Sequence, residues 1–250
     1  MYSVSITRSK NTSMGFTLIE LLVVISIVAI LASFSLPLFQ RSMMSARRVK
    51  GIANLRTAGA AIIAYAGENN SVLPGPCGLA IIPTYKSTSK KDGDLAGFIA
   101  PYLGLPDVSA PNASSKYVLI PALVSPGIAA ANPKLLDPNS RIPHYIQSDM
   151  LKGLNENGNM GTVRPFGYAG TGGQEPVRLA RLGDFTSITT GKPISSVEAW
   201  LISDVDKQIT DAQAKESGWF ASLPAKPVYG STRLRIYADG HAAAAGLNEP

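Results

Sequence analysis

Four carboxylates hold most of the chemistry this sequence offers. Asp204, Asp206 and Asp239 stand towards the end of the chain. With a backbone carbonyl they form a candidate calcium set, because hard cations take oxygen ligands. The competing reading makes all three turn or strand-end carboxylates. Glu20 is different in kind, an acid at the edge of the apolar run MGFTLIELLVVISIVAILASFSLPLF, residues 14–39. An unpaired acid in a bilayer costs at least ~2.5 kcal/mol, so one retained there is a functional candidate. It also has a bland reading. Thr17-Leu-Ile-Glu20 has the S/T-x-x-E spacing of a capping box, and Phe16 with Leu21 suits the accompanying hydrophobic staple.

Other chemistries lack their residues. No GxSxG, HExxH, CxxC or dinucleotide fingerprint occurs, which argues against a membrane-anchored enzyme. The two histidines, His144 and His241, and the lone Cys77 are too few for a zinc site. Cys77 has no intrachain disulfide partner and reads as a small buried residue. The glycine cluster GYAGTGG, residues 167–173, lacks the GxxxxGK[ST] of a phosphate loop and reads as a plain loop. The net charge of +6 invites a nucleic-acid reading, but its location refuses one. Arg41, Arg47, Arg48, Lys50 and Arg56 face only Glu68 within residues 41–70, whereas residues 71–250 hold 16 basic and 15 acidic residues. A basic footprint is missing where nucleic acid would need it.

The elements that position Glu20 follow from the apolar run. At ~1.5 Å per residue, Phe16 to Phe39 makes a helix of roughly 36 Å, long enough for a ~30 Å hydrocarbon core. Arg8 and Lys10 precede it, the outline of a secretory signal peptide. The run is long for one, and Ser33-Phe34-Ser35 makes a poor cleavage site. Beyond Pro37 the helix should continue after a break or kink, because proline removes an amide donor. Val49, Ile52, Leu55, Gly59, Ile62 and Ala66 then form one apolar stripe, with Arg47, Asn54 and Arg56 off it. Gly67 to Asn70 should end the helix, and Pro74-Gly75-Pro76 seals the stop. The cations at 41–50 outnumber those before the run, so the positive-inside rule alone would place the C-terminal part inside the cell. Those cations also suit lipid head groups or acidic groups on neighbouring subunits.

Hydrophobic content of 45% and charged content of 16% describe a folded protein with a membrane segment. Residues 71–115 and 125–176 read as turn-rich, with a short apolar piece at 95–103 and a strand at 116–121. Val197–Ser203 reads as a buried strand. Arg233–Ala238 alternates as a strand with Arg233, Arg235 and Tyr237 on a wet face. Asp239-Gly240 is a hairpin turn signal, returning through His241 to Ala245. The predicted fold is α+β, a long N-terminal helix, transmembrane in its first half, packed on a C-terminal antiparallel sheet.

The stretch GFTLIELLVVI, residues 15–25, resembles the processing site of type IV pilins and type II secretion pseudopilins. The resemblance implies cleavage by a prepilin peptidase between Gly15 and Phe16, N-methylation of Phe16, an assembly role for Glu20, and a helix-softening role for Pro37. It implies a leader at 1–15, a helix at 16–70 and a periplasmic or extracellular domain at 71–250. It places the leader in the cytoplasm, against the charge count. The implied partners are the peptidase, other pilins, an inner-membrane platform protein, an assembly ATPase and the lipid bilayer. Cleavage would also create an α-amine that a neighbour's Glu20 can neutralise. No organic cofactor is implied; calcium is the one candidate, since major pseudopilins carry it near the C-terminal sheet. Phe166-Gly-Tyr, Ser195 to Asp204 and Tyr-Ala-Asp239-Gly240-His241 resemble a second prepilin-like subfamily, whose ending is a histidine, nine residues, then Asp-Gly. Tyr229 occupies the histidine position. The expected function is a fibre subunit, with a minor pilin or adhesin that binds surface or cargo as the alternative.

Overall fold

A computed structural model describes residues 17–86, 93–107, 116–137, 139–154, 160–170 and 173–247. Gly15 and Phe16 lie outside the described residues. The chain divides into two units, residues 1–43 and 44–250. Helix α1, Leu18–Glu68, is one continuous element through Pro37, so the expected break is absent. The proline deletes a single N–H from a ladder that neighbouring residues continue on both sides.

In the first unit every described residue of α1 is exposed, including Leu18, Ile19, Phe34 and Leu38. Mean hydropathy there reaches 2.6 over an 18-residue window with none of it buried. Its serines are self-satisfied. Ser26, Ser33 and Ser35 hydroxyls donate to the carbonyls of Leu22, Ile30 and Leu31 at 2.7, 2.7 and 2.8 Å, the arrangement that hydroxyls need in an apolar solvent.

In the second unit the rest of α1 buries Gly51, Leu55, Ala58, Gly59, Ala61, Ile62 and Ala66. The expected stripe is right except for Val49, which is 66% exposed; the buried face is carried by small residues shifted around the helix. Asn70 and Ser71 take left-handed φ values of 54° and 62°, and the Ser71 N–H closes on the Ala66 carbonyl at 2.8 Å. Beyond it come β1 (Ala80–Ile81), β2 (Thr84–Lys86), α2 (Leu95–Ile99), β3 (Tyr117–Leu119), α3 (Pro126–Ala131) and β4 (Tyr145–Gln147). β5 (Leu151–Leu154), β6 (Met160–Val163), β7 (Thr186–Ser187), β8 (Trp200–Asp204), α4 (Ala212–Lys215), β9 (Thr232–Tyr237) and β10 (Ala242–Gly246) complete the chain.

The main sheet runs β1-β4-β8-β9-β10, every pair antiparallel. Smaller sheets pair β2 with β3 and order β6-β5-β7. The chain is thus α+β, with a long N-terminal helix packed on a C-terminal antiparallel sheet. Two glycines set that packing. A Cβ on Gly51 would come 2.5 Å from Leu234, and one on Gly59 would come 2.7 Å from the Gly240 carbonyl. The helix therefore lies against β9 and the β9–β10 turn at backbone distance. Gly240 has φ +89°, as the Asp239-Gly240 turn requires. The opposite face of β9 is not wet. Arg235 is buried with its guanidinium 5.0 Å from the Trp200 ring, and Arg233 is ion-paired. Strand β4, central to the sheet, falls in a stretch expected only to be turn-rich.

Candidate functional site

The three aspartates of the candidate calcium set are engaged separately. Asp206 accepts two bonds from the Arg233 guanidinium, at 2.7 and 3.0 Å. Asp204 Oδ2 accepts the Leu234 N–H at 2.8 Å; burial pushes its carboxyl up to about 7, with Leu234 and Ser125 pulling the other way. Asp239 Oδ1 lies 2.6 Å from His241 Nδ1 and accepts the His241 N–H at 3.0 Å. Among the described residues no group of three or more His, Cys, Asp or Glu is placed to hold a metal ion. The donor set does not fit calcium, because its best carboxylate already neutralises a guanidinium.

Around Asp204 lies a buried polar cluster that local patterns did not announce. The Tyr229 hydroxyl accepts the Gly127 N–H at 2.8 Å and sits 3.3 Å from Ser125 Oγ. Burial pushes that phenol up to about 12. His144 Nδ1 accepts the backbone N–H of Ser125 at 3.0 Å. Ser125, His144 and Asp204 are the residue types of a hydrolytic triad. Here, however, the imidazole binds the serine's amide through Nδ1, and all three residues are buried. The cluster ties the start of α3 to the sheet. Tyr229, at the histidine position of the second resemblance, is part of that tie. Cys77 is fully buried as expected, its thiol pushed well up by desolvation.

The N-terminal candidate is built within four residues. Glu20 Oε2 accepts from the Thr17 N–H at 2.9 Å and from the Thr17 hydroxyl at 2.8 Å. The Glu20 N–H returns a bond to Thr17 Oγ1 at 3.3 Å. This is a formed capping box, which occupies one carboxylate oxygen and starts α1. Directly after it runs the exposed apolar stretch that contains Pro37.

Residues 15–36 match the family model described as the prokaryotic N-terminal methylation motif. This is a prepilin-type N-terminus. The match spans a short part of the chain, and comparison with curated proteins and with solved structures gives no match. Within the prepilin-type motif, Glu20 is both a helix cap in the single chain and an acid at the head of an apolar helix. The two roles are compatible, since Oε1 is free of the capping bonds.

Proposed function

We propose that this chain is a structural subunit of a type II secretion pseudopilus or a related type IV pilus-like fibre. The observation that carries the reading is the prepilin-type motif running directly into a helix whose apolar side chains are all exposed. A prepilin peptidase cuts between Gly15 and Phe16 and methylates Phe16, keeping its amine charged. The helix rests in the inner membrane with the following domain in the periplasm. It then leaves the bilayer to pack with other pilin helices, driven by an assembly ATPase and a platform protein. Inside that packing, the Phe16 amine of one subunit neutralises Glu20 of another, which is cheaper than leaving the acid unpaired in lipid. Pro37 softens the helix for this transfer by removing one bond of its ladder.

Mass spectrometry of the mature protein tests the processing step. The expected terminus is Phe16 carrying one methyl group. An intact Met1 terminus, or a cut near Leu36, overturns the reading.

A further inference from the structure

Leu234 and Ile236 face α1, so strand alternation turns Arg233 and Arg235 to the other face of the sheet. That face is overlaid by residues 208–213 and by residues of the β5–β6–β7 sheet, enclosing a cleft of about 740 Å³. Its size suits a small-molecule site. Arg164, Arg233 and Arg235 line it together with Asp149, Asp204 and Asp211, so cations and acids balance. A strongly charged ligand would meet as much repulsion as attraction.

Arg164 is the informative residue. It is only 8% exposed. Its Nη2 is spent on Asp211 at 2.9 Å and Gln213 at 3.2 Å, and Asp211 is itself held by capping Ala214 at 3.0 Å. The guanidinium is thereby fixed in place. Its other nitrogen, Nη1, is buried with no hydrogen-bond partner among the described residues. Ser203 Oγ, in a residue 3% exposed on the same cleft, also has none. Buried polar groups are normally paired, and leaving them unpaired is expensive.

We propose that this cleft binds a neutral polyhydroxylated ligand, a pyranose sugar taken free or as one unit of a glycan, through Arg164 Nη1 and Ser203 Oγ. A sugar hydroxyl can accept from the guanidinium and either donate to or accept from the serine, without adding charge. Gln208 and Thr189 extend the same amide and hydroxyl chemistry along the cleft. The site lies within residues 44–250 and stands apart from the fibre reading; either can fail alone.

The test uses the full chain in a detergent without a sugar head group. Glucose, galactose and N-acetylglucosamine, and oligosaccharides of each, are the probes, read by saturation-transfer NMR and by titration. The expected result is saturable transfer to ring protons; monosaccharide binding indicates a free sugar, and binding of oligomers alone a glycan unit. Arg164→Lys keeps a cation for Asp211 but removes Nη1, and should weaken affinity about tenfold or more. Ser203→Ala should weaken it too with an unchanged Tm, and it decides the matter if Arg164→Lys does not fold. Three results overturn the proposal: no saturable binding to folded protein, equal affinity in the folded variants, or binding of acetylated dipeptide amides in place of sugars.

Discussion

Two regions of this chain break the usual rule of apolar inside and charged outside, in opposite directions. Residues 18–39 expose leucine, isoleucine, valine and phenylalanine side chains along a helix. Around β8 and β9, Asp204, Asp206, Asp211, Arg164 and Arg235 are buried. The first inversion is stable only if the surrounding solvent is not water, since the segment buries none of its own apolar surface. The second is stable because most of those charges are individually answered, Asp206 by Arg233 and Arg164 by Asp211. Exposure of apolar groups thus points outward to lipid or to other helices. Burial of charge points inward, to partners within the chain.

The largest effect should come from unpairing the second region. Asp206 is 1% exposed and holds Arg233 by two bonds. Asp206→Ala leaves that guanidinium uncompensated and should cost about 3–5 kcal/mol in chemical denaturation. A loss under about 1 kcal/mol would mean that the pair behaves as a surface pair. Asp204 gives the same region a pH signature. Its folded value of about 7 lies above the ordinary 3.8, so the native state binds the proton more tightly than the unfolded chain. Stability should therefore fall as pH rises from about 4 to about 7 and level off above that. Thermal unfolding followed across this range should show the slope in the parent and lose it in Asp204→Asn.

The next two effects separate the regions by what they leave alone. Val24→Asp places a charge in the exposed apolar run and should cost ~2.5–3.5 kcal/mol of membrane insertion. Tm of the second unit should not move. Gly59→Ala sets a Cβ against the Gly240 carbonyl and should cost about 1–3 kcal/mol of folding, while membrane retention stays intact. Flotation assays and thermal unfolding, run on both variants, should show opposite losses. A Val24→Asp protein that loses its folded domain would break the comparison.

Much of the architecture was legible because it is written in neighbouring residues. The apolar run, the capping box at Thr17 and Glu20, the stop after Glu68 and the Asp239-Gly240 hairpin each depend on a few adjacent positions. The candidate calcium set went astray because it was argued from residue type alone. Arg233 lies 27 residues from Asp206, and no local pattern joins them. The wet face assigned to Arg233 and Arg235 failed for the same reason, since alternation describes a strand without saying what lies above it. Arg164 and Asp211 were missed entirely, being 47 residues apart. Val49 shows a finer limit. A stripe drawn through large apolar residues misplaced the buried face, because close backbone approach selects Gly51 and Ala58 in its stead.

The smallest change in folding energy should come from Glu20, and it sharpens the comparison most. In one chain the acid does what a cap does, bonding Thr17 through Oε2 at 2.8 and 2.9 Å. Glutamine at the same position also completes a capping box. Glu20→Gln should therefore shift helix stability by less than about 1 kcal/mol. It should also insert at least as well as the parent, since it removes an acid from the bilayer. If pairing with a neighbour's Phe16 amine is the acid's further role, fibre incorporation should nonetheless fail, because the amine is left without a counter-charge in a packed core. Crosslinking of membrane-resident subunits, compared with subunits in sheared fibres, reads the two steps separately. Normal fibre yield from Glu20→Gln would reduce the acid to its cap. The first region's outward-facing surface would then owe its assembly to apolar packing alone.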